Sequence, residues 1–313
     1  MRYVLKKVGI FVLTLLVVSV LVFLAFQVIP GDPATNMLGT QVTAERVEAL
    51  REQLGLNDPG IVRYFRWLKS FVTGDYGISY SYGIPVKELL ANKLGVSAAI
   101  TVMSFFMVVV LSFPVATLVT RFAHSFFDRV CMFINQLVMS MPPFFIGILF
   151  TYIFGLVLRV FTVGQFVPFS QSAGGFFGHL FFPALAIALP KSAMVIKLLR
   201  GSMLKEMSED YVRTAFSRGN SPRQVLRTHV LRNAIIPVIT FLAVTLVDIV
   251  AGSIIIEQVF TIPGLGRLLL SSITKRDFPV VQTIVMIIAF TVITVNYIAD
   301  ISYRYIDPRI RFR

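Results

Sequence analysis

The sequence predicts an all-α polytopic membrane protein with six transmembrane helices and an external helical insertion after the first. Three observations carry this. Hydrophobic residues fill 56% of the 313 positions and charged residues only 14%, about half the charged share of a soluble domain. Six apolar runs are each long enough, at about 1.5 Å rise per residue, to cross hydrocarbon about 30 Å thick. They are Val8–Ile29, Val96–Thr120, Val130–Leu158, Leu180–Leu199, Ala234–Ile256 and Phe278–Ala299. Most of the basic residues fall in the gaps between these runs, as in a positive-inside membrane protein.

The first run makes residues 1–30 a membrane span. Lys6 and Lys7 before it resemble the start of a signal peptide. Its apolar core is too long for that, no small-residue cleavage site follows, and Ile29-Pro-Gly-Asp-Pro33 is a helix exit, so the span is retained. Residues 31–95 form the external insertion. Within it, Val42–Leu54 alternates Arg46 and Arg51 with Glu45, Glu48 and Glu52 around a stripe of Val47, Leu50 and Leu54, with Thr43 as a cap. Val62–Val72 is a second short helix with Phe65, Trp67, Leu68 and Phe71 on its apolar side, followed by the turn Gly74-Asp-Tyr-Gly77. Pro85–Leu94 is a third helix approaching the second span. Residues 96–313 are the core, with five further spans. Pro114, Pro142, Pro143 and Pro190 interrupt its helical hydrogen bonding and predict kinks. The Leu156–Leu180 link, rich in Gly and Phe with Arg159 as its one charge, lies at the outer interface.

Charge gives orientation and excludes several functions. Arg2, Lys6 and Lys7 precede the first run, Arg121 and Arg129 bracket the link after the second, a basic series from Arg200 to Arg232 fills the gap after the fourth, and Arg304 to Arg313 close the chain. Both termini are therefore expected in the cytoplasm. The net charge of +13 is distributed over these gaps, which argues against nucleic acid. Cys131 alone excludes a disulfide framework. His124, His179 and His229 lack metal-ligand spacing. No nucleophile–base–acid set is apparent. The chain also has no Gly-rich loop ending in Gly-Lys-Ser or Gly-Lys-Thr, so any ATP hydrolysis belongs to another chain.

The loop 200–232 holds the most informative pattern. Glu206, Glu209 and Asp210 sit at the start of a short helix over Tyr211–Phe216, where acidic residues complement free backbone N–H groups. Gly219-Asn-Ser-Pro222 breaks it. Ser221 is an N-cap and Pro222 suits the first position of the next helix. The result is a rigid basic elbow, which serves either to fix topology or to dock a cytoplasmic partner.

At this point the chain resembles the inner-membrane permease subunits of binding-protein-dependent ABC importers, within them the "B" subunits of dipeptide and oligopeptide systems. Ala215 and Gly219 match the spacing of that family's EAA coupling loop, while Arg213 and Thr214 occupy its Glu and first Ala positions. Asp210–Ala215 and His229-Val-Leu-Arg-Asn-Ala234 match the peptide-permease version. Pro30-Gly-Asp-Pro33, Leu54-Gly-Leu56, Gly74–Gly77 with Ser79, Ile262-Pro-Gly-Leu-Gly266, Arg276-Asp-Phe-Pro279 and Asp307-Pro-Arg-Ile310 extend the resemblance over nearly the whole chain. Ser97-Ala-Ala-Ile-Thr101 departs from the Thr-Leu pair usual at the start of the second span.

The resemblance implies a type I importer permease in a prokaryotic inner membrane, not itself an enzyme. Its expected partners are a second homologous permease, two cytoplasmic ATPase subunits that hold ATP and Mg, and an extracytoplasmic binding protein that delivers peptide. It assigns Arg213, Thr214, Ala215, Gly219, Ser221, Pro222, His229 and Arg232 to ATPase docking. Nickel complexes, glycosides or another small solute are alternative cargoes, and an ion-coupled secondary carrier is a different class. Pathway or gate candidates come from intramembrane polarity. Asp248 is the one acidic residue of Ala234–Ile256 and must face a partner group or a pathway. Glu257 closes an outer gate, caps a turn or meets a peptide amine. Asn135 and Gln136 bring polar atoms into the third run and hydrogen-bond between helices or line the pathway.

Overall fold

A computed structural model describes residues 2–28, 35, 43–53 and 55–306. The expected exit Pro30–Pro33 and tail Asp307–Ile310 lie outside the described residues. The helices are α1 (Arg2–Val28), α2 (Ala44–Gln53), α3 (Gly60–Thr73), α4 (Val86–Arg121), α5 (Phe126–Ser140), α6 (Pro143–Phe150), α7 (Ala173–Met207), α8 (Asp210–Ser217), α9 (Pro222–Gln224), α10 (Leu231–Val259), α11 (Leu265–Thr274) and α12 (Phe278–Ile306). π-helical turns follow α6 at Thr151–Val157 and α9 at Val225–Val230. Among the described residues there is no strand, only an isolated bridge between Ile78 and Pro85.

Five helical stretches are long and apolar enough to cross a membrane: Lys6–Val28, Val86–Arg121, Ala173–Met207, Pro222–Val259 and Phe278–Ala299. The expected third span, Val130–Leu158, is not one continuous helix. It is a bent pair, Phe126–Ser140 and Pro143–Val157, with 98° between the halves. Adjacent prolines explain the break. A proline drives the residue before it out of the α region; Met141 and Pro142 both precede one and sit at ψ 129° and 143°. Pro143 then occupies the first turn of α6, where its missing N–H costs nothing. A single proline removes one helical hydrogen bond and crowds the preceding turn without necessarily ending the helix, and Pro114, Pro183, Pro190 and Pro237 all lie inside continuous helices. Pro85–Leu94 likewise is not a separate helix, because α4 starts at Val86 and runs through Gly95. One glycine costs a helix only about 1 kcal/mol.

The chain forms two compact units, with boundaries inside α4 and α12. The first comprises Met1–Val96 with Pro263–Tyr297. Here α1 is apolar around its circumference, as a span in lipid requires. α3 is amphipathic and turns its aromatic side to α1. The Tyr64 and Ser19 hydroxyls are 2.8 Å apart, and the Phe23 ring lies 5.4 Å from Tyr64 and 5.8 Å from Trp67. Phe11 contacts Phe290 and Tyr297 of α12.

The second unit comprises Ser97–Ile262 with Ile298–Arg313. α7 is its centre and packs against α5, α6 and α10. Ala184, Ala186, Ile187, Ala188, Ala193, Val195 and Leu199 are buried along it; small residues allow helices to approach closely where lipid supplies no hydrophobic drive. Gly147 does the same for α6. A Cβ there would lie 3.1 Å from Ile256 and 3.2 Å from Phe260.

Candidate functional site

The elbow between α7 and α10 is defined residue by residue by local hydrogen bonds. α7 ends at Met207, and Ser208 and Glu209 make the first corner, with the Ser208 hydroxyl donating to the Lys205 carbonyl at 2.7 Å. α8 buries Val212 and Ala215 and leaves Arg213, Thr214 and Phe216 exposed. Gly219 closes it at φ +83°, with its N–H on the Phe216 carbonyl at 2.9 Å. L-side chains disfavour that conformation by about 1–2 kcal/mol. The Asn220 side-chain amide donates to the Ala215 carbonyl at 3.0 Å, fixing the second corner. The Ser221 hydroxyl then accepts from the Gln224 N–H, and Pro222 opens the next turn. Val225, Leu226 and Val230 anchor the descending limb by burial; His229 is half-buried in its π turn, and Arg232 is exposed at the start of α10. Tyr211 reinforces the first corner. Its hydroxyl donates to Glu206 at 2.6 Å, and burial together with that carboxylate raises the phenol above its ordinary range.

The four polar candidates within the spans do not form one cluster. Asp248, on α10, pairs with Lys191 of α7 at 2.7 Å and remains half exposed. Glu257, nine residues on, is fully buried and accepts from the Ser97 hydroxyl at 2.5 Å. A hydroxyl at position 97 thus helps to satisfy a buried acidic residue. Asn135 is buried on α5 and donates to the Ala193 carbonyl of α7 at 2.9 Å. Gln136 beside it is exposed and accepts from Lys197 at 3.4 Å. α7 is therefore the common neighbour of Asn135, Gln136 and Asp248.

Three polar residues outside those expectations complete the picture. Asp128 is 5% exposed and receives two hydrogen bonds from Arg200, at 2.9 and 2.6 Å. Ser125 caps α5 by accepting from the Asp128 N–H, and the Asp128 carboxylate reaches back to the His124 N–H. That reciprocal arrangement is a variant of the capping box, and Ser125-x-x-Asp128 before an apolar run was its visible signal. Lys191 is the second, one of two cations inside the run Leu180–Leu199, with Lys197, and a partner for Asp248. The third is Asp277 in the first unit. Fully buried, it accepts from the Ser79 hydroxyl and from the N–H groups of Tyr80 and Ser81. Lys275 beside it donates to Tyr82 at 3.1 Å and holds that phenol below its ordinary range.

Comparison with known proteins gives this architecture a family. The model of the binding-protein-dependent transport system inner membrane component matches residues 108–312, and that of the N-terminal part of such membrane components matches residues 1–118. The chain belongs to this family of inner-membrane transport components. The permease is 32% identical over 310 residues to a probable peptide ABC transporter permease of Sinorhizobium fredii, with 99% of both chains covered. It is 33% identical to an oligopeptide transport system permease of Bacillus subtilis, again over 99% of both. A glutathione transport system permease of Escherichia coli is 33% identical over the full length of each. The inward-facing MetNI methionine ABC transporter shares the fold at TM-score 0.57 and 18% identity, covering 70% of the permease and 96% of that chain. The permease is thus a multi-pass inner-membrane protein with the type I importer fold.

Proposed function

We propose that the permease forms half of the pathway of an ATP-driven di- or oligopeptide importer. A second homologous permease supplies the other half, and an extracytoplasmic binding protein delivers the peptide. Two cytoplasmic ATPase subunits hold ATP and Mg and drive the change of access, so this chain itself has no catalytic role. Both termini and the elbow face the cytoplasm, in keeping with their arginines. The peptide-related names of full-length relatives in three genera favour this cargo over nickel complexes or glycosides.

The elbow is the observation that carries the mechanical part. α8 presents Arg213, Thr214 and Phe216 on a short helix whose two corners are each tied by hydrogen bonds. Such a helix transmits displacement instead of absorbing it. Arg213, Thr214, Ala215, Gly219, Ser221 and Pro222 form or shape the docking surface, and His229 and Arg232 belong to the limb that carries motion into α10. Asp248, Glu257, Gln136 and Asn135 are the pathway and gate candidates, of which Asp248 and Gln136 are accessible and Asn135 and Glu257 hold helices together.

Substitution of Gly219 tests the reading. Open space surrounds the missing Cβ, so Gly219→Leu perturbs the backbone angle and not the packing. In the reconstituted complex, peptide-stimulated ATP turnover is expected to fall about five- to thirtyfold, from the left-handed penalty of about 1–2 kcal/mol acting on the docked geometry, while membrane insertion is retained. Normal coupled transport by this variant would refute the elbow's role. Copurification with a metal- or sugar-binding protein in place of a peptide-binding one would overturn the cargo.

A further inference from the structure

We infer that an open pocket between the end of α4 and the descending limb of the elbow binds the headgroup of an anionic phospholipid. The inference rests on the membrane placement just proposed, not on the peptide cargo. The pocket measures about 420 Å³ and brings together Arg121, Arg223 and Arg227. Arg121 is the last residue of the Val86–Arg121 span, and Arg223 and Arg227 belong to the first turns of the Pro222–Val259 span. All three guanidinium groups therefore lie where two apolar helices end on the same side, at the depth of headgroups.

Charge makes the pocket incomplete as it stands. Arg223 and Arg227 are four residues apart, so like charges share one helical face and disfavour one another. Arg121 adds a third. None of the three has a carboxylate partner among the described residues. Asp128 nearby in sequence is fully engaged by Arg200. Planar guanidinium forks match phosphate oxygens in bidentate geometry.

The floor decides between a lipid and a free anion. Phe113, Pro114, Leu118 and Leu226 line it. An inorganic phosphate has no use for that surface, whereas a phospholipid lays its glycerol and first methylenes on it and its phosphate among the arginines. Basic pockets between membrane helices on the cytoplasmic side recognise anionic headgroups by this combination. Arg223 and Arg227 follow Pro222 on the limb leading into the membrane.

The test uses the complete transporter in nanodiscs of phosphatidylcholine alone or mixed equally with phosphatidylglycerol. Retained lipid is read by native mass spectrometry, and peptide-stimulated ATP turnover in the same discs reports separately on the importer reading. The intact complex is expected to keep phosphatidylglycerol and not phosphatidylcholine. Each Arg→Gln change at 121, 223 or 227 is expected to lower retention roughly fivefold, and the triple Arg→Lys variant, which keeps the charge and loses the bidentate fork, to retain less than the intact complex and more than the triple Arg→Gln variant. Equal retention by the R121Q/R223Q/R227Q variant overturns the proposal. So does displacement of the lipid by millimolar inorganic phosphate, which would make the site one for a free anion. Hydrogen-exchange protection of the pocket by the ATPase subunits with no lipid retained would assign it to protein docking and equally overturn it.

Discussion

α7 carries two ion pairs that look alike in a contact diagram and differ in physics. Arg200 and Lys191 are nine residues apart, about 14 Å along the helix. Arg200 meets Asp128 through two parallel hydrogen bonds, and the carboxylate also accepts a backbone N–H from His124, so nearly every acceptor position is filled and the group is 5% exposed. Lys191 meets Asp248 through one contact, and Asp248 is 52% exposed. A buried charge is tolerated only when its partners replace water fully. The first pair meets that condition and fixes α5 to α7. The second leaves a carboxylate with unused acceptors, the state expected of a group that meets passing solute.

The largest effect should come from breaking the closed pair. Arg200→Ala leaves Asp128 charged and buried, at a cost of about 3–5 kcal/mol. Thermal unfolding of the purified complex would show it as a marked loss of Tm, and an unchanged Tm would show that the pair is dispensable. Asp277→Ala extends the comparison to the first unit, where another buried carboxylate ties down a loop. Loss of its contacts with Ser79, Tyr80 and Ser81 is expected to cost about 1–3 kcal/mol and to raise amide exchange at Tyr80 and Ser81; unchanged protection there would mean the loop holds without it. The smallest effect on stability belongs to the open pair. Asp248→Asn should shift stability by about 1 kcal/mol or less while altering peptide uptake kinetics. Wild-type uptake by that variant would remove Asp248 from the pathway, and a large stability loss would make the two pairs equivalent after all.

Much of this arrangement is legible in the sequence, for physical reasons that differ by element. Long apolar runs identify the spans because lipid leaves a helix few alternatives. Ser221-Pro222 and Gly219 announce the elbow because capping and left-handed geometry are local. Asp248 stands out as a lone charge in an apolar run. Its partner Lys191 lies 57 positions earlier, and only packing brings the two together. Glu257 and Ser97 are 160 positions apart. The same limit hid Asp277, whose partners at 79–81 come from the other end of the first unit. The right angle at Met141–Pro143 is a different case. A proline pair states that the helix stops, yet the direction of the next segment depends on contacts such as those of Gly147 with Ile256 and Phe260.

The two corners of the elbow have unequal slack. Ser208 and Glu209 alone separate α8 from α7, whereas Arg218–Ser221 separate it from the next helical turn. Torque on α8 would therefore reach α7 through the stiffer arm and load both ion pairs at once. If α8 carries ATPase motion as proposed, the single contact at Lys191–Asp248 would act as the shear pin, yielding while the two hydrogen bonds of Arg200–Asp128 hold. Paired spin labels across each pair, followed through nucleotide binding, would show the first distance widen before the second; simultaneous widening would rule out that order.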